Sequence, residues 1–507
     1  MAERLVLGID LGSSSAKAVL AAESGRIIAR AAVPQRVDRP APGLAEQEPS
    51  SWWAALRSLV AATWATVPPR ARTGGLAGIA ISAHFPTLVL SDEAGTPLTP
   101  AMLYEDRRAD AWVGRASELA GSPLDGDELL PKLLWLAAER RDILAGAHRI
   151  FNPQGWLVFR LTGVHVTDHR TALRSGLFDA VGLVRRAGLG ERLGLDPHSF
   201  PAVRSAAEIA GQVGAEPAAG LGIPTGTPVL VGLPDTPATL LGAGVVRAGD
   251  VLLYYGTTAT ADVCTQDLGD YLRDPTTIHD WAPYREIAFT VLGPALSWAA
   301  AGLTSRGSAN AGAVLGSDVG VSDTEPAMEL VRLDEEAAAL GPGPDAPYVI
   351  PQFLAHSRAG EPADRPAIVG LDVVHGRADL HRALLESFGF TVRAGLEASG
   401  LERVARRYVA AGGGARSATW RQIVSDVLGV EQSWPPRSDG ALGSAMLAAL
   451  VTCGRDVLGS DLGAWLGRPH STHPDLRVHE LETARYGTWL RMRHALGHIW
   501  RSARTDG

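Results

Sequence analysis

Residues 7–21 carry the chemical groups of a phosphate-binding turn. An apolar stretch ends at Asp10, and Lys17 begins a second one. The turn between them contains Gly12, Ser13, Ser14 and Ser15. Backbone N–H groups of such a turn can point into one concavity that suits a phosphate, and a carboxylate beside it can hold hydrated Mg²⁺. An ordinary tight hairpin with serines in the bend is the alternative.

Two later segments also contain a predicted strand that is followed by small residues. Residues 251–263 read as strand, turn and strand, with Gly256, Thr257 and Thr258 at the bend. A third segment follows a strand-like YVAA and precedes a helix-like run, and it consists of Gly412, Gly413, Gly414 and Ala415. Consecutive glycines let a backbone lie flat against an adenine and ribose. The chain has neither a P-loop motif nor a dinucleotide-binding glycine motif. The pattern therefore predicts two similar lobes with a nucleotide in the cleft between them.

Composition limits the classes of function. The chain has 507 residues, is 46% hydrophobic and has a formal net charge of −8, which is typical of a globular protein and argues against a nucleic-acid partner. Its two cysteines, Cys264 and Cys453, provide no disulfide framework and no zinc motif. No apolar stretch reaches the length of a membrane span, and no signal region is visible. We expect a cytoplasmic protein with a small-molecule partner.

Arginine supplies almost all basic side chains, and Lys17 and Lys132 are the only lysines. A lysine kept in such a composition can mark a place that needs a compact ammonium group. Packing of the lysine stem is the alternative explanation. Lys17 lies in the first phosphate turn, which favours a functional role there.

Hydrophobic periodicity predicts α/β lobes that position these turns. Strands are expected at 4–10, 17–22, 26–33, 76–82, 87–91, 251–264 and 286–292. Helices are expected at 50–66, 107–119, 131–144, 153–161, 293–302, 379–399 and 417–428. A buried strand, PVLVGL, precedes Asp235, and a helix follows it. Residues 303–347 read as an insertion or long surface connection. The small-residue helix at 440–450 is expected to pack on the second lobe.

Ten segments in this order resemble the FGGY family of carbohydrate kinases, which shares a superfamily with hexokinase, actin and the heat-shock chaperones. The segments include LGIDLGSSSAKAVL at 7–20, PKLLWL at 131–136, PDTPATLLGAGVVRAGD at 234–250, YYGTTA at 254–259 and GGGARSATWRQIVSDVLG at 412–429. The resemblance covers most of the chain. It implies two actin/hexokinase-like (ribonuclease H-like) lobes around a nucleotide and sugar cleft. The implied domains are 1–245, which binds sugar and phosphate, 246–485, which binds ATP, and a helical tail at 486–507.

The resemblance also implies a role for each matching position. Asp235 matches the aspartate that accepts the proton of the sugar hydroxyl, and Asp10 matches the position associated with Mg·ATP. Both carboxylates are therefore expected near the metal. The implied ATP contacts are Asp10, Gly12, Ser13, Ser14, Ser15, Lys17, Gly256, Thr257, Thr258, Gly412, Gly413, Gly414, Ala415 and Ser417, with Gln422 just beyond. As an alternative, Asp235 could simply begin a helix, where an acidic side chain is favourable.

The substrate loop departs from the best-known members of the family. Where the xylulokinase-like pattern has Gln-Met-His-Gly, this chain has His84, Phe85, Pro86 and Thr87. Tyr104 replaces the usual tryptophan before the motif that begins at Asp106. His84, Phe85, Tyr104, Asp106 and Asp235 are the expected substrate residues. His84 either bonds to a sugar hydroxyl or is a structural histidine, and Phe85 and Tyr104 either form an apolar wall or pack internally.

These differences leave the substrate open. Glycerol is disfavoured because the Arg-Glu pair of glycerol kinases is absent from this loop. A ketopentose is expected, with D-xylulose first because the motifs are most xylulokinase-like. Ribulose, a deoxy-sugar and an erythritol-type polyol are alternatives. A chaperone-like ATPase and a catalytically silent sugar and ATP sensor are rival classes, and the retention of Asp10, Lys17 and Asp235 weighs against the silent sensor. A homodimer is expected only from the general frequency of such assemblies.

Overall fold

The structure is a computed structural model that describes residues 3–68, 72, 75–179, 183, 185–273, 283–300, 325–351 and 366–505. The chain divides into two compact units. The first consists of Met1–Val246, Asp267–Pro283 and Arg437–Gly467. The second consists of Arg247–Gln266, Tyr284–Pro436 and Arg468–Gly507. The expected ranges 1–245 and 246–485 differ from this division because two later segments return to the first unit.

The strands, in chain order, are β1 Leu5–Leu11, β2 Ser15–Ala22, β3 Ile27–Pro34, β4 Glu46–Gln47, β5 Leu76–Ala83, β6 Val89–Ser91, β7 Ala101–Met102, β8 Arg149–Phe151, β9 Val166–Asp168, β10 Ala202–Arg204, β11 Ile209–Gln212, β12 Pro228–Leu230, β13 Leu233–Pro234, β14 Asp250–Tyr254, β15 Thr258–Cys264, β16 Tyr284–Val291, β17 Tyr348–Ile350, β18 Ala367–Val369, β19 Arg407–Ala411, β20 Gln432–Trp434 and β21 His470–Thr472.

The helices are α1 Pro49–Trp64, α2 Val113–Ala120, α3 Leu129–Glu139, α4 Arg141–Ala145, α5 Pro153–Thr162, α6 His169–Arg174, α7 Leu189–Leu193, α8 Ala215–Leu221, α9 Asp235–Ala243, α10 Leu268–Arg273, α11 Gly293–Ala300, α12 Glu325–Leu340, α13 Arg377–Ser399, α14 Ala418–Leu428, α15 Gly440–Cys453, α16 Leu462–Leu466 and α17 Leu476–Thr505. The helices expected at 50–66, 153–161, 379–399 and 417–428 are confirmed as α1, α5, α13 and α14. The single helix expected at 131–144 is instead divided into α3 and α4 at Arg140.

The main sheet of the first unit has the order β11-β12-β5-β1-β2-β3. β1, β2 and β3 form an antiparallel meander in which Asp10 lies opposite Lys17. β5 lies parallel to β1, and β12 and β13 lie parallel to β5. Because parallel strands run in one direction, the carboxyl ends of β1, β5 and β13 reach the same edge of the sheet.

The main sheet of the second unit has the order β16-β15-β14-β19-β20-β21. β14, β15 and β16 form an antiparallel meander, β19 lies parallel to β14, and β20 lies parallel to β19. The outer strand β21 is antiparallel to its neighbour, as β11 is in the first sheet. The two sheets therefore repeat one strand order, and the expectation of two similar lobes is confirmed.

The sheet of the first unit is buried on both faces. Alternate residues of β1, such as Leu7 and Ile9, share a core with Trp52 of α1 and Trp156 of α5. Val6 on the opposite face belongs to a second core, which contains residues of α9 and α15. This alternation is the period of two that a strand buried on both faces presents to its two covering layers.

The helix α15 packs in the first unit, so the expectation that it packs on the second lobe is wrong. A Cβ added at Gly8 of β1 would fall 2.1 Å from the carbonyl oxygen of Ala441, and one at Gly443 would fall 1.8 Å from that of Ala238 in α9. The small residues allow this close approach of backbones. The sequence indicates close packing of this helix but does not show which element it packs against.

Part of the expected surface connection at 303–347 is helical, because α12 covers Glu325–Leu340. Leu333 and Ala337 of α12 are completely buried, which explains why this segment is ordered as a helix. Residues 303–324 of the expected connection lie outside the described residues. Among the residues that the structure describes, no helix is both long and apolar enough to span a membrane.

Candidate active site

Two carboxylates lie at the carboxyl-terminal edge of the first sheet. Asp10 is near the end of β1, where it pairs in register with Ser82 of β5. β13 pairs with the same end of β5, with Leu233 opposite Ser82, and Asp235 follows directly. The strand register thus brings together two residues that are far apart in the sequence, and both are predicted site residues.

Asp235 is the first residue of α9 and accepts a hydrogen bond from the backbone N–H of Thr236 at 2.8 Å. Burial, followed by the negative charge of Asp10, raises the pKa of the Asp235 carboxyl to about 7. A carboxylate with a pKa near neutral pH can accept a proton and release it again under physiological conditions.

Asp10 is held from two elements besides its own strand. Its Oδ1 accepts a hydrogen bond of 2.7 Å from the hydroxyl of Ser82. Gly440, at the start of α15, lies against the carboxylate, since a Cβ there would fall 2.8 Å from Asp10 Cγ. The amino-terminal end of a helix carries partial positive charge, which favours an ionised carboxylate.

The turn that follows Asp10 is closed by a hydrogen bond of 3.0 Å from Gly12 N to the carbonyl oxygen of Ser15. Gln47 supports it from outside, because its Nε2 donates to the carbonyl oxygen of Ser13 at 2.7 Å. The indole N–H of the buried Trp52 in turn donates to Gln47 Oε1 at 3.0 Å. The Ser13 hydroxyl lies 3.4 Å from the hydroxyl of Tyr104. The pKa of Tyr104 is raised, chiefly by burial, so the phenol is neutral at physiological pH.

His84 is buried just beyond β5, and its Nδ1 lies 3.0 Å from Thr87 Oγ1. Its Nε2 has no hydrogen-bond partner in the described part of the chain. Burial, with a smaller effect of the Lys132 charge, lowers the pKa of His84 to about 3, so the ring is neutral. A neutral ring with one unpaired nitrogen can donate to or accept from a ligand hydroxyl. The ring of Tyr104 lies 6.5 Å from that of His84.

Lys132 joins the backbone segments that carry His84 and Tyr104. Its ammonium group is completely buried and donates to the carbonyl oxygens of Leu103 at 2.8 Å and Pro86 at 3.4 Å. Burial lowers the pKa of Lys132 to about 8. Since these contacts are to backbone carbonyls, Lys132 positions the loop and does not itself lie in an open site.

The carboxylate of Asp106 has no exposed surface. Its Oδ2 accepts from the backbone N–H of Ala45 at 2.8 Å, and both of its oxygens accept from Arg108. Arg108 also bonds to Glu46. The structure therefore places Asp106 in an internal ion-pair network beside Tyr104, while its expected contact with a substrate stays a prediction.

In the second unit the two predicted turns lie at the ends of neighbouring parallel strands. β14 and β19 pair so that Tyr254 is opposite Ala411. Tyr255 then bonds to both sides of the second turn, donating from its N–H to Ala411 O at 2.8 Å and accepting from Gly414 N at 2.8 Å. The structure brings the 256–258 and 412–415 turns together.

The glycines of these turns permit close contacts. Gly412 has a φ of +91°, and a Cβ there would fall 2.6 Å from Tyr255 O. A Cβ on Gly414 would fall 2.5 Å from the ring of Trp420. Substitution at either position would displace the turn.

The residues at the start of α14 are mainly structural in the described contacts. Ser417 caps the helix by accepting from Trp420 N at 3.0 Å. Ala415 is buried, and its carbonyl oxygen accepts from Arg421. Gln422 donates to Asp426 Oδ1 at 2.8 Å and to the carbonyl oxygen of His473 at 2.9 Å. The expected contacts of these residues with a nucleotide stay predictions.

Sequence reasoning missed several residues that support the site: Gln47, Ser82, Lys132 as a loop support, Gly440 and Ser444. Gln47 lies in EQEPSSWW at 46–53, which is another of the ten segments that resemble the family, and this segment could have identified it. Ser82 is next to the substrate loop but reads as an ordinary buried strand residue. Ser444 carries no signal, because only the fold places it beside Ser82.

Comparison with known proteins gives the same assignment for both units. The model of the FGGY family of carbohydrate kinases, N-terminal domain, matches residues 5–242, and that of the C-terminal domain matches residues 281–451. The chain is 28% identical over 466 residues to xylulose kinase of Escherichia coli (strain K12), covering 88% of this chain and 90% of the relative. It is also 28% identical over 471 residues to glycerol kinase of Gloeobacter violaceus, covering 88% of each chain.

A solved structure, that of xylulose kinase from Rhodospirillum rubrum, superposes with a TM-score of 0.79 at 27% identity, covering 98% of this chain and 100% of the other. The expected actin/hexokinase-like fold class is therefore confirmed. The repeated strand order, the glycine turns and the match of both family models lead to one conclusion. The chain belongs to the FGGY family of carbohydrate kinases and is a sugar kinase.

Proposed function

We propose that this sugar kinase transfers the γ-phosphoryl group of ATP to a ketopentose, with D-xylulose as the first candidate and D-xylulose 5-phosphate as the product. The observation that carries the proposal is the pairing of Asp235, whose pKa is raised to about 7, with Asp10 at one sheet edge. The xylulose kinases among the relatives of the chain support the choice of sugar.

Asp235 is the proposed general base. In the reaction, the sugar hydroxyl gives its proton to the Asp235 carboxylate as its oxygen bonds to the γ-phosphorus. The bond from that phosphorus to the β–γ bridging oxygen breaks, and ADP leaves with the electron pair. Phosphoryl transfer needs alignment and neutralisation of charge more than covalent help from the protein. The hydrogen bond from Thr236 N holds the Asp235 carboxylate at the start of α9, where it is proposed to meet the sugar hydroxyl.

The turn residues are the proposed ligands of the nucleotide. In the first unit, Ser13, Ser14 and Ser15 supply hydroxyl and N–H donors to a phosphate, and Lys17 supplies a cation. In the second unit, Gly256, Thr257 and Thr258 bind phosphate. The turn at Gly412, Gly413 and Gly414 is the proposed contact of the adenosine. A Cβ at Gly412 or Gly414 would meet Tyr255 O or the Trp420 ring, so these two glycines hold the turn in place.

The carboxylates Asp10 and Asp235 fit a magnesium ion. The negative charge of Asp10 raises the pKa of Asp235, and a divalent cation beside both would offset that repulsion. Among the described residues no cluster of three or more metal-ligating side chains exists. Mg²⁺ takes one or two carboxylates and completes its shell with water and phosphate oxygens, so the two aspartates are a sufficient set of protein ligands. When bound, the ion would neutralise charge on the phosphates.

The proposed sugar contacts are His84, Phe85, Tyr104 and Asp235. His84 Nε2 is a buried nitrogen without a protein partner in the described chain, and leaving such a group unpaired is costly. A sugar hydroxyl would satisfy it. The identity to one xylulose kinase and to one glycerol kinase is the same, 28%, so this value alone does not separate the two substrates. The loop at His84 has to do so.

A coupled ADP-release assay with Mg·ATP tests the proposal. The panel is D-xylulose, D- and L-ribulose, L-xylulose, a deoxy-ketose, gluconate, erythritol and glycerol. We expect the highest kcat/KM with D-xylulose. A preference of more than tenfold for another sugar or polyol would overturn the choice of substrate. No stimulation by any of them would favour the silent sensor.

A further inference from the structure

Two serines connect the interior of the first unit to Asp10. The hydroxyl of Ser444 on α15 donates to the hydroxyl oxygen of Ser82 on β5 at 3.1 Å. The Ser82 hydroxyl in turn lies 2.7 Å from Asp10 Oδ1. All three residues belong to the first unit.

The distances indicate which acceptor each hydroxyl proton of this hydrogen-bonded chain faces. The Ser82 hydroxyl has two acceptors within reach, Asp10 Oδ1 at 2.7 Å and the carbonyl oxygen of Ile9 at 3.2 Å. It has only one proton to give. An ionised acceptor forms the shorter and stronger hydrogen bond. Since Ser444 donates to the Ser82 oxygen, the Ser82 proton points to Asp10.

Both hydroxyls are shielded from solvent. Ser82 is 0% exposed and Ser444 is 1% exposed. In such surroundings a hydrogen bond is stronger than in water, and successive bonds polarise one another. The bond to Oδ1 therefore fixes the rotation of the carboxylate about its Cβ–Cγ bond, and Gly440 limits the opposite movement by its close contact.

We propose that Ser82 and Ser444 are positioning residues that hold the Asp10 carboxylate in the orientation needed to bind the divalent cation of the metal–nucleotide substrate. The proposal rests on the assignment of Asp10 to the metal in the proposed function. It adds that Ser444, which is far from Asp10 in the sequence, supports this orientation through its hydrogen bond to Ser82.

The test measures metal binding and needs no sugar. The full chain is titrated with Mn²⁺ in the presence of ADP, and bound and free Mn²⁺ are separated by their electron paramagnetic resonance signals. We expect Ser82→Ala to weaken Mn²⁺ binding by about tenfold, the effect of losing a hydrogen bond to a charged group. Ser444→Ala keeps the direct bond and should weaken binding by a smaller factor, about threefold.

A double-mutant cycle separates positioning from a general loss of structure. In an Asp10→Ala background, Ser82→Ala should have no further effect on Mn²⁺ binding, because the group that it positions is gone. Ser387→Ala is the matched control: Ser387 is also 0% exposed, lies in the second unit, and donates to the carbonyl oxygen of Leu384. It should leave binding unchanged.

Three results would overturn the proposal. They are unchanged Mn²⁺ affinity in both serine variants, an equal loss in the presence and absence of Asp10, and an Asp10→Ala variant that binds like the wild type. If Ser82→Ala does not fold, Ser444→Ala decides alone, since alanine is well tolerated inside a helix. Absence of sugar turnover in the wild type would overturn the proposed function and leave this binding result to stand.

Discussion

Gly440 and Asp10 are in such close contact that a Cβ on Gly440 would fall 2.8 Å from the carboxyl carbon and 2.9 Å from each carboxyl oxygen. The added Cβ would crowd both carboxylate oxygens equally, and these are the atoms that could bind a ligand. Either α15 or the Asp10 side chain would have to move to admit even one methyl group. Position 440 therefore has to be glycine if the Asp10 carboxylate is to keep its place.

Gly440→Ala should lower kcat with the preferred sugar by at least about tenfold, since a misplacement of about 1 Å at a reacting group can cost still more. The measurement is steady-state kinetics with Mg·ATP. Gly114→Ala is the matched control, because Gly114 lies in α2 with nothing within 4 Å of an added Cβ. That control should keep full activity. Normal turnover in Gly440→Ala would contradict the role of Asp10.

Asp235→Asn should lose at least about 100-fold in kcat, the lower range of a general base, while ADP binding is retained. The amide keeps the shape of the side chain but cannot take the hydroxyl proton. Asp168→Asn is the control: Asp168 is also a buried carboxyl at a helix start with a raised pKa, and it bonds to Thr171. Turnover within a few-fold of wild type in Asp235→Asn would exclude the assignment.

The pH dependence of kcat/KM should show an acid limb set by Asp235. Only the ionised carboxylate can accept a proton, and its pKa is raised to about 7. Below that pH the active fraction should fall about tenfold per pH unit. A profile that stays flat down to pH 5 would mean that the base has an ordinary pKa or is another group.

The raised pKa of Asp235 also predicts an effect on stability. The carboxyl has a pKa of about 7 in the folded state against 3.8 as a model value. Between these values the folded state binds more protons than the unfolded state, so the free energy of unfolding falls as pH rises. Asp235→Asn has no such group. The Tm of the variant minus that of wild type should increase from pH 4 to pH 7 and then level off, as thermal unfolding at several pH values would show. A Tm difference that does not change with pH would contradict the raised pKa of Asp235.

His84→Ala should raise the KM for sugar by about tenfold or more and leave the KM for ATP nearly unchanged. The reason is the loss of the buried Nε2, which has no partner in the described chain. Because the pKa of His84 is lowered to about 3, its contribution should be the same from pH 6 to pH 9. An equal rise in both KM values would indicate a structural histidine.

The sequence predicts the parts of the site that depend on local pattern. Asp10 and Asp235 each stand at the end of a buried strand, and the glycine turns at 256 and 412 each follow one, so a strand pattern is enough to find them. The partners of these residues depend on contacts between distant segments. Ser82 and Ser444 are separated by 362 residues, and a pair of buried serines has no recognisable spacing.

The packing of α15 shows a second limit of sequence reasoning. Glycine and alanine recur along the helix between larger residues such as Leu442 and Met446, and this pattern does not show which element the helix packs against. The sheet of the first unit offers Gly8, but that correspondence is visible only once the strands are paired. Cytoplasmic location and a homodimer stay predictions for the same reason, since no contact within the chain bears on them.

The return of α15 to the first unit has a consequence for how the protein is made. The core beneath this helix includes Val6, Val19 and Ala80, which come from strands that are synthesised long before it. Their cover is synthesised only after most of the second unit. One face of the nascent first unit therefore stays apolar and open during that interval, when aggregation competes with folding. A fragment that ends at Val246 would keep that face exposed permanently, so the two units cannot be separated by a single cut between them.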